Sequence, residues 1–240
     1  MEKSTIVFIH GDTQNHTIFN NIARFFQSIG QNVLLLDLPG HGNESPYSKN
    51  HLEFLKMKLS HLTNPIICAH SSGGIFALDY ILHTKNASSL ILINALLSNP
   101  KLMDNSFDWE SSFGNFRSLS KTLFKKQCLT DYSKFDNIGD DEISKMGLET
   151  TDPISLGRNI DFYLNLSADF IAPEDIKIPI VYVHSKDDKF IRKDFVEKKI
   201  SQIKNARFFT IDSGHNSPIR SYNDIIKIIK ENYSFIGLDT

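Results

Sequence analysis

Six short runs of apolar, β-prone residues, each bounded by polar or turn-forming residues, constrain the fold of this chain more than any other feature. They lie at residues 6–9, 33–36, 66–69, 90–93, 180–183 and 208–211. Near-continuous apolarity is what a strand needs when both faces of a parallel sheet are covered. Between most of the runs fall segments with apolar residues at helical spacing: Ile18, Ile22, Phe26 and Ile29, then Leu52, Leu55, Leu59 and Leu62, then Phe195, Val196, Ile200 and Ile203. Strand and helix alternate, which predicts an α/β architecture with a mostly parallel, doubly wound sheet. Residues 75–82 are apolar nearly all round and read as a central helix buried against that sheet. A last helix, about 219–231, closes the unit.

The alternation lapses between residues 98 and 175, where no strand-like run of comparable strength occurs and aromatic residues are scattered among polar ones. This predicts a helical cap inserted into a core made of residues 1–97 and 176–240. Phe107, Trp109, Phe113, Phe116, Phe124, Tyr132, Phe162, Tyr163 and Phe170 are then available to line an apolar pocket over the carboxyl edge of the sheet, where ligands of open α/β sheets bind. Roughly half of them are expected to serve the insertion's own packing instead. Trp109, Phe113, Phe116 and Phe162 are the pocket candidates singled out.

The third apolar run ends abruptly in Ala69-His70-Ser71-Ser72-Gly73-Gly74. A serine between small residues at the end of a strand reads as a nucleophile elbow, in which the chain turns sharply into a helix and holds the serine Oγ exposed. Bulky neighbours would collide in such a turn. Ala69 and Gly73, two residues to either side of Ser71, meet that demand, with alanine where glycine is commoner.

On five ordered stretches the chain resembles the α/β-hydrolase-fold superfamily along nearly its whole length outside the insertion. These are His10-Gly11, then Asp37-Leu38-Pro39-Gly40-His41-Gly42, then Ala69 to Gly74, then Ser185-Lys186-Asp187-Asp188, then Gly214-His215, which follow the first, second, third, fifth and sixth apolar runs. The resemblance implies a triad in the order nucleophile, acid, histidine, which maps to Ser71, Asp188 and His215. A serine hydroxyl needs a base to take its proton as it attacks, and imidazole suits that task. The base needs a carboxylate to fix its tautomer, a role assigned to Asp188 with Asp187 as the rival. The family's oxyanion donors map to the backbone N–H groups of Ser72 and Asp12. An ionised Asp12 side chain would oppose the developing negative charge unless it pointed away, for instance as a cap for the helix starting near Thr17. His10 and His41 read as structural or substrate-loop residues, and His70 as a packed, hydrogen-bonded neighbour of the nucleophile.

The chemistry expected from the resemblance is cleavage of a carboxylic ester, or of a thioester or lactone, of a short to medium acyl substrate through an acyl-enzyme on Ser71. Serine at this position argues against family members with an aspartate nucleophile, the dehalogenases and epoxide hydrolases. Peptidases, carbon–carbon hydrolases, acyltransferases and perhydrolases share the triad, and a ligand-binding protein with little turnover is the alternative from a different class. The nine histidines and two cysteines show no metal-ligand spacing, and no Gly-rich phosphate loop follows the first run, so neither a metal nor a cofactor is implied. A formal net charge of −2 supplies no field for nucleic acid or anionic lipid. No run approaches membrane-spanning length and no cleavable leader is recognised, so a cytoplasmic protein is expected, with its oligomeric state left open.

Overall fold

A computed structural model describes residues 4–46, 50–102, 126, 128, 146–167, 170, 172 and 175–238 of the 240. Six strands form one sheet: β1 (Thr5–Ile9), β2 (Asn32–Leu36), β3 (Ile66–His70), β4 (Ser89–Ile93), β5 (Ile180–Ser185) and β6 (Ala206–Ile211). Their order across the sheet is β2-β1-β3-β4-β5-β6, and every pairing is parallel. The chain moves outward from β1 to β2 and then returns past β1 to build β3 onward. The order therefore reverses at β1 and β3, whose following loops diverge and leave a crevice at their carboxyl ends.

Both faces of the sheet are covered, and the alternation of side chains along each inner strand divides the core in two. Val7, Ile9, Ile67, Ala69, Leu90, Leu92, Ile180 and Tyr182 pack beneath α2 (His51–Leu59), α3 (Gly73–Thr84) and the later helix over Lys193–Ser201. Ile6, Phe8, Ile66, Cys68, Ile91, Ile93, Val181 and Val183 pack on the opposite side, against α1 (Asn20–Ser28) and the C-terminal helices. The four inner strands are buried along their predicted runs, whereas β2 and β6 have a neighbour on one side only and keep half-buried residues.

Local chemistry sets the helix boundaries. Asn50 caps α2 by accepting the Glu53 N–H at 2.9 Å. The first helical segment enters through a 3-10 turn at His16–Phe19, capped by Asn15, whose Oδ1 accepts the Thr17 N–H at 2.9 Å. Between residues 146 and 167 lies α4 (Pro153–Leu164), started by Asp152 as cap and Pro153 in the first turn. Leu148, Leu156, Ile160 and Tyr163 are buried and join the core on the α2–α3 side. Phe107, Trp109, Phe113, Phe116, Phe124 and Tyr132 lie outside the described residues. After β5 come α5 (Lys193–Ser201), then α6 (Ser217–Arg220), α7 (Tyr222–Glu231) and α8 (Tyr233–Ile236). The single last helix expected from periodicity is thus broken at Ser221, whose φ of −124° and ψ of 34° are not helical. No helix among the described residues is long and apolar enough to cross a membrane.

Candidate active site

Ser71 follows β3 directly and has φ = 52°, a left-handed conformation that costs a non-glycine residue roughly 1–2 kcal/mol. Its neighbours hold it there. The Ser71 carbonyl accepts the N–H groups of Gly74 at 3.0 Å and Leu96 at 2.9 Å. A Cβ on Gly73 would sit 2.5 Å from the His10 carbonyl oxygen and 2.6 Å from that of Ile9, so the start of α3 lies against the backbone leaving β1 and only glycine fits. Ala69, fully buried in β3, fills the position where the related pattern carries glycine. Ser72 is the N-cap of α3, so the positive end of that helix faces the crevice beside Ser71.

Two further strand ends bring the other two members of the predicted set to this point. Asp188 lies in the turn after β5 and His215 in the loop between β6 and α6. The Ser71 Oγ stands 3.0 Å from His215 Nε2, and His215 Nδ1 stands 2.8 Å from Asp188 Oδ2. With Nδ1–H donating to the carboxylate, the Nε2 lone pair would face the serine hydroxyl, an arrangement in which it can take up the hydroxyl proton. Asp188 Oδ1 accepts the N–H groups of Phe190 at 2.8 Å and Ile191 at 2.9 Å. Burial pushes Asp188 toward protonation, but the His215 charge and the hydrogen bonds from His215 and Ile191 outweigh it and hold the carboxyl below its usual value. Asp187 is exposed, and it is Asp188 that meets the histidine.

The histidine loop is fixed by residues that sequence patterns did not single out. Asn94, just past β4 with φ = 43°, points its side chain across the sheet edge. Its Nδ2 lies 2.8 Å from the His215 carbonyl, 2.8 Å from Ser185 Oγ and 3.0 Å from Ser217 Oγ, while its Oδ1 accepts the Ser185 N–H at 2.7 Å. Gln14 accepts the Gly11 N–H at 2.9 Å and donates to Asn216 Oδ1 at 2.9 Å. His70 packs as expected: its Nε2 lies 2.9 Å from the His215 carbonyl and its Nδ1 2.9 Å from Gln14 Oε1. Burial, and then the nearby His215 charge, lower the His70 imidazole to about 3. His10 is fully buried and accepts the Leu38 N–H on Nε2 at 2.9 Å, which ties the loop after β1 to the loop after β2. Burial and the neighbouring His41 lower it to about 3 as well.

Asp12 departs from expectation. Its side chain does not cap the helix near Thr17, because Asn15 already fills that position with the shorter reach. Asp12 Oδ2 instead accepts the hydroxyl of Tyr163, 2.8 Å away on α4, and its backbone N–H donates to Ser72 Oγ at 3.0 Å. Burial raises the carboxyl to about 6, against the opposing influence of the Tyr163 hydrogen bond and the nearby Ser72 hydroxyl. The two expected oxyanion positions are therefore adjacent, with the Ser72 hydroxyl engaging the Asp12 donor. Phe162, beside Tyr163, sets its ring 4.0 Å from His51 and 6.1 Å from Phe76, so it packs α4 against α2 and α3. Trp109, Phe113 and Phe116 lie outside the described residues. Among those described, no group of three or more histidine, cysteine, aspartate or glutamate side chains is placed to hold a metal ion.

Residues 6–225 match the sequence profile of the alpha/beta hydrolase family. No curated protein sequence gives a significant match. Among solved structures, an esterase from Exiguobacterium antarcticum superposes with a TM-score of 0.80 at 15% identity, covering 97% of this chain and 92% of its own. An esterase from Thermogutta terrifontis gives 0.80 at 15% identity over 97% and 90% of the two chains. An enol-lactonase from Burkholderia xenovorans gives 0.78 at 18% identity over 98% and 92%. At such identities the likeness establishes the shared fold.

Proposed function

The chain belongs to the alpha/beta hydrolase family, and from that premise we propose that it is a serine hydrolase that cleaves carboxylic esters of short to medium acyl groups, working in the cytoplasm without a cofactor. One observation carries the proposal: the unbroken run of hydrogen bonds from Ser71 Oγ to His215 Nε2 and from His215 Nδ1 to Asp188, mounted on a strained elbow at the sheet's switch point. His215 takes the Ser71 proton as Oγ attacks the ester carbonyl, and the carbonyl π electrons move onto oxygen. The backbone N–H groups of Ser72 and Asp12, with the N-terminus of α3, receive that oxyanion. Collapse expels the alcohol, protonated by the imidazolium. Water activated by the same imidazole then releases the acid and restores Ser71. The insertion over 98–175 acts as a cap above the crevice, with Trp109, Phe113, Phe116 and Phe162 as candidate walls.

A second function draws on one specific contact. The Asp12 N–H already has Ser72 Oγ as its acceptor, as would suit a protein that binds an ester-like ligand and turns it over little. Labelling with a fluorophosphonate separates the two. A hydrolase takes up one equivalent on Ser71, none in Ser71→Ala and far less in His215→Ala. A folded protein that resists the probe at neutral pH favours the binding function. Thioesters and lactones are tested beside esters, because the same attack opens all three.

A further inference from the structure

We propose that the Asp12 carboxylate is a specificity determinant that accepts a hydrogen bond from the acyl part of the substrate, so that the favoured substrates are esters of hydroxy or amino acids rather than of plain aliphatic acids. The inference rests on the hydrolase function proposed for Ser71 and deepens it. Three observations place Asp12 in this role. It follows Gly11, whose Cα approaches the nucleophile so closely that an added Cβ would lie 2.6 Å from Ser71 Cβ. Its side chain is oriented by Tyr163 on α4, whose hydroxyl donates to Oδ2 at 2.8 Å. Its other oxygen, Oδ1, is buried without a hydrogen-bond partner in a residue only 9% exposed.

A buried acceptor left unpaired costs about 1–3 kcal/mol, more for a charged group. A ligand that donates to Oδ1 recovers that loss, whereas an alkyl group seals the oxygen in a dry site. The charge sharpens the preference. With burial raising it to about 6, the carboxyl is mostly ionised at neutral pH and available as an acceptor. Left bare, that negative charge also opposes the oxyanion forming at the backbone N–H of the same residue. A hydroxyl or amine near the substrate carbonyl, interposed between the two, relieves both. Sites built to meet a substrate hydroxyl reject the analogue that lacks it far more strongly than apolar pockets reject a missing methyl.

The test compares phenyl lactate and phenyl alaninate with the isosteric phenyl isobutyrate, each kcat/KM divided by the ester's hydroxide-catalysed rate. Wild-type protein is expected to favour at least one donor-bearing ester by about tenfold or more. In Asp12→Ala the ratio between donor-bearing and plain esters falls to within about twofold, whatever the absolute rates; in Asp12→Asn, whose amide oxygen still accepts, part of the preference remains. Equal normalised rates for the three esters in a wild-type protein that labels normally overturn the inference and leave the hydrolase function intact. So does a preference that survives Asp12→Ala. Failure of Ser71 to label at all removes the hydrolase function and the inference with it. The wild-type comparison decides the matter alone if Asp12→Ala does not fold.

Discussion

Gly11 and Ser71 approach so closely across the β1–β3 crevice that no side chain larger than hydrogen fits between them: a Cβ on the glycine would lie 2.6 Å from Ser71 Cβ and 3.1 Å from its Oγ. Substitution by alanine must therefore move either Ser71 or the loop that carries Asp12. We predict that Gly11→Ala lowers kcat by about 10²-fold or more, because displacements near 1 Å cost that much in positioned reactions. Steady-state kinetics with a phenyl ester provides the check. A variant with unchanged kcat would mean that the loop after β1 has no part in the chemistry.

Asp188 is ionised and fully buried as a side chain against His215. Asp188→Asn is expected to lower kcat by about 10⁴-fold, as loss of the orienting carboxylate does in other triads, because the amide favours the wrong imidazole tautomer. The sign of its pH effect follows from the depressed value in the folded state. The carboxylate contributes stability above the unfolded value, about 4, and that contribution is lost as the pH falls further. The stability gap between wild type and variant should shrink below about pH 4 in urea titrations.

Asp12 has the opposite sign. Its folded value is raised from 3.8 to about 6, so the folded state binds more protons than the unfolded one across that window and loses stability as the pH rises through it. Relative to wild type, Asp12→Asn should gain about 2 kcal/mol between pH 4.5 and 7.5, a shift of roughly two pKa units acting over most of its range. Chemical denaturation at the two pH values measures the difference. A gap independent of pH would show that Asp12 titrates normally.

Asn94 joins the ends of β4 and β5 to the histidine loop. Replacing it with alanine leaves the Ser185 N–H without its acceptor and removes a donor from the His215 carbonyl. We expect Asn94→Ala to destabilise the fold by about 2–3 kcal/mol and to lower kcat further through misplacement of His215. Thermal unfolding and single-turnover acylation separate the two effects.

The sheet was legible in the sequence because burial on both faces leaves its imprint residue by residue. At Ile66, Ile67, Cys68 and Ala69 every side chain is interior, so the apolar run and the strand nearly coincide. The strands extend past those runs where a parallel neighbour keeps the ladder going over polar residues: His70 pairs beside Ile93, and His184 and Ser185 beside Thr210 and Ile211. Polar side chains at a carboxyl edge carry no periodicity. The three side chains proposed to act were visible through their local turns. Their support was not, because Asn94, Gln14 and Tyr163 act across sequence separations of up to 202 residues and belong to no short pattern. Asp12 was visible, but its orientation is set by Tyr163, a partner that periodicity places only as an aromatic among many.

Because one amide side chain, that of Asn94, grips both the strand leading to Asp188 and the loop bearing His215, those two groups are not free to loosen independently. Local breathing that parted Asp188 from His215 would have to rupture the seam between the central strands as well. On warming, loss of turnover and melting of the interior should consequently coincide in one cooperative event, with no temperature interval in which an intact but inert protein accumulates.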